Sequence, residues 1–449
     1  VALTALQILK LLPQTNCKDC GFPTCLAFAL KLGAKAVELS ACPHASEEAK
    51  ETLGAAASPP IRPVKIGVGD FSVKTGEETV MFRHEKTFTS PTLIGAAVRD
   101  DCAETELEAK IKRLAALRTE RAGCPMHLDV VALRSAAGAP GPFQKAAQLL
   151  ARTTDMPLVL IARSPAVMRA ALDVSAGKRP LLCSADKENW EAMAALAAEF
   201  RVPLAVHADG DLRELADLSV KIAERGVKDL VLDPGSETLR ERLAHQTLLR
   251  RSAILKRFRP FGYPTLAFVP NSAGRTYGSS LSLLLGICKY ASILIADEIE
   301  DWQLLPTLTL RNNIFTDPQR PLQLNAGIYP VGEPTPEAPL LVTTNFSLTY
   351  FVVSGEVESA QVPAHILLVD TEGMSVLTAW SAGKFTGPIV AEAVKKSGIE
   401  GRLSHRKIVI PGYAAVIQGD LEDALPGWEI RVGPQESAGI PRFLREYRS

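Results

Sequence analysis

The sequence predicts an α/β protein in three parts: a small N-terminal cysteine module, a central (βα)8 TIM-type barrel, and a C-terminal flavodoxin- or Rossmann-like domain. Three observations predict it. Four of the eight cysteines crowd into residues 17–42. Two Pro-rich seams, 54–63 and 313–339, divide the chain. Between and after the seams, short apolar runs alternate with amphipathic stretches. At 449 residues the chain is too long for one ordinary core, which fits several domains.

Composition narrows function by exclusion. Lys and Arg number 50, Asp and Glu also 50, and 47% of residues are hydrophobic. A net charge of zero gives no global attraction to nucleic acid or to an anionic membrane. No apolar run reaches the length of a membrane span, and Thr4–Leu12 is short and leads straight into cysteines. A cytoplasmic protein is expected, with neither nucleic acid nor membrane as a partner.

The first module, residues 1–57, is organised by Cys17, Cys20, Cys25 and Cys42, a C-x2-C-x4-C-x16-C spacing. In a large cytosolic chain, clustered cysteines point to metal ligands rather than disulfides. Three thiolates close in sequence can wrap one face of a cuboidal [4Fe–4S] cluster, and a distant fourth closes it. Zinc is the alternative, but structural zinc sites usually gather ligands in close pairs, and here a trio is followed by one. Gly21 lets the chain turn tightly and Pro43 fixes its exit. The stretch Leu26–Val37 is expected as a helix covering one side, with His44 a neighbour rather than a ligand. The scattered Cys102, Cys124, Cys183 and Cys288 are expected as buried or half-buried small apolar residues.

Prolines at 59, 60 and 63 deny helix and make 54–63 an extended connector. Residues 58–320 then carry strand candidates at Thr92–Arg99, Leu128–Arg134, Met156–Arg163, Arg179–Ser184, Val202–His207, Lys228–Leu232, Thr265–Val269 and Ala291–Ala296. Each is apolar on both faces, as parallel strands covered by helices must be. Amphipathic stretches follow, for example Thr105–Arg121, Asn189–Phe200 and Leu212–Arg225. Eight such units in about 220 residues match a barrel preceded by a strand or hairpin, and favour it over a doubly wound open sheet. Asp100, Asp101, Asp209, Asp233 and Asn271 fall at or just beyond strand ends, where barrel active sites sit. Such residues more commonly cap loops or meet a partner, and His207 reads as an ordinary strand-end histidine.

The second seam, with prolines at 318, 321, 330, 334, 336 and 339, is read as linker. The last domain, residues 321–449, has strands at Leu340–Thr344, Ile366–Asp370, Lys407–Ile410 and Glu429–Val432. Its helices are expected at Thr349–Glu358, Val376–Lys384, Pro388–Ser397 and Ser437–Tyr447. In an open α/β sheet, ligands bind beyond the carboxyl ends of the strands, here Thr343–Asn345, Asp370–Gly373, Pro411–Tyr413 and Gly433–Pro434. These ends are small or polar, so a bulky ligand can approach the backbone. No glycine follows the first strand, which removes a dinucleotide fingerprint and a P-loop. FMN, a nucleotide or a corrinoid remain. The stretch Asp370–Gly383 opens through Gly373 into a helix of small residues that would face a large flat ligand or its tail. An ordinary helix cap accounts for it equally well.

The segment Asn16–Ala29, with Asn16, Cys17, Cys20, Gly21, Pro23, Thr24, Cys25, Phe28 and Ala29 in order, resembles the cluster module of the large (gamma) subunits of corrinoid iron–sulfur proteins of the reductive acetyl-CoA pathway. Thr371–Val376 resembles that family's corrinoid-binding loop, and the order of parts matches over essentially the whole chain. The resemblance implies a cobalamin-type cobamide beside the [4Fe–4S] cluster. The cobalt would take a methyl group from methyltetrahydrofolate through a separate methyltransferase and pass it to acetyl-CoA synthase/CO dehydrogenase, the cluster re-reducing stray Co(II). A smaller barrel-shaped corrinoid protein subunit would complete a heterodimer. Together with the strand ends, the resemblance makes Thr343, Asn345, Thr349, Asp370, Thr371, Glu372, Gly373, Met374, Ser375, Val376, Ala379, Gly412, Ala414, Gly433 and Pro434 the candidate corrinoid contacts. No residue is assigned a catalytic role. The D-x-H-x-x-G motif that gives methionine-synthase-like proteins a histidine ligand to cobalt is absent, so a base-off cobalt is expected. His365 and His405 precede strands, at the end away from the ligand. The competing functions are a methyltransferase whose own barrel binds a methyl-pterin and, third, an electron-transfer flavoprotein.

Overall fold

The structure, a computed structural model, describes residues 5–33, 36–46, 49, 59–121, 124–271, 277–317 and 322–447. They fall into two compact units, Val1–Phe82, Phe88–Leu117 and Leu128–Phe315 in one, and Arg83–Thr87, Arg118–His127 and Thr316–Ser449 in the other. Among the described residues, no helix is long and apolar enough to cross a membrane.

In the first unit, β1 (Val64–Ile66) and β2 (Val73–Thr75) form an antiparallel hairpin. β3 (Leu93–Arg99) opens a parallel sheet. β4 (Arg118–Arg121) and β5 (Cys124–His127) form a separate hairpin that belongs to the second unit. The parallel sheet continues through β6 (Val130–Arg134), β7 (Leu158–Ile161), β8 (Leu181–Ala185), β9 (Leu204–His207), β10 (Leu230–Asp233), β11 (Leu266–Val269) and β12 (Ile293–Ala296). Its eight strands run in the order β10-β9-β8-β7-β6-β3-β12-β11. The two ends meet where the Leu232 amide donates to the Pro264 carbonyl at 2.8 Å and Leu232 bridges Thr265 in parallel. The sheet is therefore closed into a TIM-like barrel, and each of the eight strand candidates lies in it. Val130, Ala132, Val159, Leu181, Ala205, Val231, Leu266 and Ile293 fill its interior together with Val64 and Ile66 of the hairpin. The Gly67 amide bonds the carbonyl of Arg179, just before β8, so the hairpin plugs the amino end and leaves the carboxyl end for chemistry.

Two expectations here need correction. The helix placed at Thr105–Arg121 ends at Ala116. Its tail pairs instead with Cys124–His127 as a hairpin, because strand pairing outweighs a weak local helix preference. Cys288 is exposed rather than buried, whereas Cys183 is buried and Cys102 half-buried; the Cys124 side chain lies outside the described residues. Of the first connector, 54–58 lie outside them too, and from Pro59 onward the chain is tied down, the Arg62 amide bonding the Gly262 carbonyl at 2.9 Å.

The second unit holds a five-stranded sheet of β13 (Gly327–Val331), β14 (Leu340–Thr344), β15 (Ala364–Val369), β16 (Lys407–Ile410) and β17 (Glu429–Val432), in the order β13-β15-β14-β16-β17. All pairs are parallel except β13 with β15. β13 corrects the reading of 313–339 as linker. An edge strand tolerates Pro330, which has no amide to offer, and residues 313–315 close the helix Asp301–Phe315. Pro318 and Pro321 lie outside the described residues. The helices Ser347–Ala360 and Ile440–Tyr447 cover one face of the sheet, and Val376–Ser381, Gly387–Ser397 and Gln418–Ala424 the other. The short helix Gln418–Ala424 was not foreseen.

Candidate functional site

The cysteine segment is built by local backbone chemistry. Asn16, Lys18 and Gly21 adopt left-handed φ of 51°, 70° and 81°, and alternating turns of this kind point amides into a concavity suited to anionic clusters. The Gly21 amide closes one turn on the Lys18 carbonyl at 2.8 Å. The Asn16 side chain accepts from the Cys25 amide at 2.8 Å, and Thr24 caps the helix Cys25–Gly33 through the Ala27 amide. Cys25 and Cys42 are buried with Ile8, Leu12, Phe28 and Ala29, and Cys20 packs against the same group, while Cys17 is exposed. Sequence positions 25 residues apart meet where His44 Nε2 bonds Asp19 at 2.6 Å. Hydrogen bonds from His44 and then Cys17 hold the Asp19 carboxyl below its ordinary pKa.

The second site is a cleft in the five-stranded sheet. β14 pairs with β15 over five positions but with β16 only at Leu341–Val409. Beyond that pair the two strands part, because consecutive connections leave them on opposite faces. This is the topological switch point of an open α/β sheet. The gap is a cavity of about 340 Å³ walled by Leu341, Val342, Thr343, Val409, Ile410 and Pro411, with Ser375 and Val376 at one side and Gly433 and Pro434 at the other. Thr343 is 2% exposed and its hydroxyl has no partner. Burying a hydroxyl without a partner costs on the order of 1–3 kcal/mol, so the cleft fits a ligand that brings a polar group. Gly412 is required here. A Cβ on it would lie 2.6 Å from Gln435 N, Gly433 O and the Pro434 carbonyl carbon.

The structure thus brings Thr343, Thr349, Ser375, Val376, Gly433 and Pro434 together in the cleft wall. Asp370, Thr371, Glu372, Gly373 and Met374 form the adjoining turn, and Asn345 lies beneath it. Ala379 and Ala414 are fully buried in the core below and do not line the cleft. Sequence reasoning missed the apolar rim: Leu348, Leu377 and Tyr413 are 61%, 48% and 43% exposed at the cavity. The signal was available in Leu348–Val353, where apolar residues face every side of the helix start. Large exposed apolar side chains gathered in one place mark an interaction site.

At the barrel's carboxyl end most of the charged groups among the described residues pair with one another, although Arg134 Nε is buried without a partner. Asp100 accepts from the amides of Ala136 and Ala137 at 2.6 and 3.0 Å, a loop cap. Asp101 pairs with Arg99, Arg163 with Asp186, Arg134 with Asp297, and Asn271 with Glu298. His207 is more than an ordinary strand-end residue. Its ring bonds buried Asp233 through Nδ1 and exposed Asp209 through Nε2, both at 2.8 Å. The hydrogen bond to Asp233, opposed by burial, pushes its pKa up to about 9. Asp209 lies two residues along the chain, but no local signal linked His207 to Asp233, which β10 supplies from 26 residues away.

His365 is the second residue of β15 rather than preceding it, buried at the strand's amino end with Nδ1 unpaired. Burial lowers its pKa. His405 bonds the Ala338 carbonyl at 3.0 Å, ahead of β16. Both lie at the end of the sheet away from the cleft.

Among solved structures, dihydropteroate synthase from Xanthomonas albilineans is 19% identical with a TM-score of 0.38, covering 50% of this chain and 94% of that one. A family model for an Fe–S cluster segment matches residues 12–44. The model of the CO dehydrogenase/acetyl-CoA synthase delta subunit family matches residues 63–444. The corrinoid/iron-sulfur protein large subunit of Moorella thermoacetica is 43% identical over 99% of this chain and 98% of its own. The acetyl-CoA decarbonylase/synthase complex subunit gamma of Methanopyrus kandleri is 40% identical over 99% and 98%, and that of Methanothermobacter thermautotrophicus 35% over 100% and 99%. Sharing their sequence from end to end, the chain belongs to the family of corrinoid/iron-sulfur protein large subunits and acetyl-CoA decarbonylase/synthase gamma subunits.

Proposed function

We propose that this chain is the methyl-carrying large subunit of a corrinoid iron–sulfur protein, with its corrinoid at the switch-point cleft. When bound, the corrinoid supplies a cobalt that accepts a methyl group from methyltetrahydrofolate through a separate methyltransferase and yields it to acetyl-CoA synthase/CO dehydrogenase, and a [4Fe–4S] cluster supplies the electron that recovers oxidised cobalt. Cys17, Cys20, Cys25 and Cys42 would hold the cluster, the Asn16 side chain fixing the loop between the first three. Thr343 and Ser375 offer hydroxyls in the cleft, and Leu348, Leu377 and Tyr413 an apolar rim for a flat macrocycle. Exposure of that rim also suits a smaller partner subunit covering the site, and the relatives' names as subunits of a complex support one. Residues 1–57, 58–320 and 321–449 are proposed as cluster, barrel and corrinoid domains.

The observation that carries the reading is the parting of β14 and β16 above Leu341–Val409, with the Thr343 hydroxyl buried and unmatched. The paired state of the barrel's carboxyl-end groups favours a carrier over a barrel that binds the methyl donor itself. Metal analysis and a visible spectrum of anaerobically purified protein test this. Stoichiometric cobalt with about four irons per chain is expected, and iron without cobalt overturns it. Methyl transfer from methyltetrahydrofolate with the small subunit but no separate methyltransferase would favour the barrel instead.

A further inference from the structure

Asn345 stands at the carboxyl end of β14 and is 2% exposed. Its Oδ1 accepts from the amides of Thr371 and Gly373 and from the Thr371 hydroxyl, all at 3.0 Å. Its Nδ2 donates to Asp370 Oδ1 at 3.1 Å and to the Leu324 carbonyl at 3.2 Å. An amide side chain has two lone pairs and two hydrogens to offer, so nothing remains for a ligand. Apart from Leu324, its partners lie 25 to 28 residues away, just beyond the carboxyl end of the neighbouring strand β15. The turn it grips is not one the chain adopts by default. Glu372 has a φ of 55° and Gly373 of 73°, and the left-handed region is unfavourable for a residue that carries a side chain. Asp370 adds one further tie, accepting from the Glu372 amide at 3.0 Å.

We propose that Asn345 is a positioning residue: it holds the Thr371–Met374 turn preformed before any corrinoid arrives, and touches no ligand itself. The proposal rests on the corrinoid reading for what the turn presents, but the preformed turn is a property of the polypeptide alone. The unfavourable backbone at Glu372 is then offset within the protein rather than by ligand binding. Preorganisation of this kind raises affinity by removing an ordering cost. Asn345 therefore leaves the set of candidate contacts and becomes the clamp beneath them.

The test is amide hydrogen exchange on the full-length chain, with and without added cobalamin. In wild-type protein without cobalamin, the Thr371 and Gly373 amides should already be protected. In Asn345→Ala they should exchange about thirtyfold faster, as expected for loss of a buried bond that closes a local opening, while Val342 and Leu367 keep their rates. Cobalamin affinity should fall about tenfold in the Ala variant. Unprotected wild-type amides, or an Ala variant with wild-type rates and affinity, would each overturn the proposal. Wild-type protein that takes up no cobalamin but shows the exchange pattern would overturn the corrinoid reading and leave the clamp standing.

Discussion

The barrel and the five-stranded sheet are assembled from the same βα units, yet they treat their carboxyl ends in opposite ways. Closure between β10 and β11 gives every barrel strand two neighbours, and the charged side chains above it find one another as Arg134–Asp297, Arg163–Asp186 and Asp209–His207–Asp233. The open sheet has a switch point, so β14 and β16 part and leave an apolar cleft with an unmatched hydroxyl and exposed Leu348, Leu377 and Tyr413. A closed sheet can spend its polar groups on itself. An open one must leave a seam between helices on opposite faces, and that seam is where ligand chemistry is unmet.

The comparison is best broken by uncoupling iron from cobalt. Cys20→Ala should abolish the cluster outright, since a cuboidal centre needs all four thiolates, while cobalt stays bound. Protein in the Co(I) state should still accept one methyl group, and Co(II) protein should no longer be rescued by a protein electron donor. Normal rescue would remove the cluster from that step. Gly412→Ala should do the reverse. Its Cβ, 2.6 Å from three backbone atoms, must push the ends of β16 and β17 apart, and overpacking of about 2–3 kcal/mol corresponds to a thirty- to hundredfold loss of cobalt affinity. Iron content should not change. Cobalt retained at wild-type affinity would move the corrinoid elsewhere.

The two sheets also differ in how much of them can be read from sequence. Eight apolar runs with helices between them specify the barrel because each unit is local and only their number has to close. The cysteine segment was also visible as a local feature, its first three cysteines lying within nine residues on a loop whose turns Asn16, Lys18 and Gly21 supply. At the cleft only the strand ends were visible. Which strands part is a matter of order, β15-β14-β16, and no residue pattern encodes it. Ala379 and Ala414 looked like ligand contacts because they are small, but small residues also suit tight packing under a sheet, and there they lie. Asn345 was singled out as a contact, while its bonds to the turn 25 to 28 residues away favour a clamp. The strand β13 was hidden by its proline, a sign of linker in isolation and of an edge in a sheet.

The barrel's self-satisfied end yields a smaller effect of its own. His207 has a folded pKa near 9 against an ordinary 6.5. A raised pKa means the charged form is favoured by folding, so the stabilisation is complete below pH 6.5 and is lost as pH rises through about 9. Asp209 is 77% exposed, so solvent screening trims the contribution to about 2 kcal/mol. His207→Gln should lower Tm by several degrees at pH 6 and by little at pH 10, with cobalt and iron unchanged. An equal loss at both pH values would mean the ring acts by packing rather than by charge.

The smallest expected effect falls on the sheet's far end, and it is the one that bears on the cobalt. With no D-x-H-x-x-G motif, the imidazoles within residues 321–449 are those of His365 and His405. His365 sits at the amino end of β15, and strands run about 3.3 Å per residue, so four further strand residues separate it from the turn at Asp370–Met374. Its unpaired Nδ1 is buried there, and burial lowers the pKa of the ring. His405 is committed on both nitrogens, Nε2 to the Ala338 carbonyl and Nδ1 to the Lys407 amide. Without an imidazole ligand, a bound cobalt would reach Co(I) more readily, as the proposed methyl-carrier role would require. Electron paramagnetic resonance of the Co(II) protein should therefore show cobalt lines without the threefold splitting of an axial nitrogen, in wild type, His365→Ala and His405→Ala alike. Triplets that disappear in either variant would mean that the amino end of the sheet reaches the cobalt, and that the cleft between β14 and β16 does not hold it.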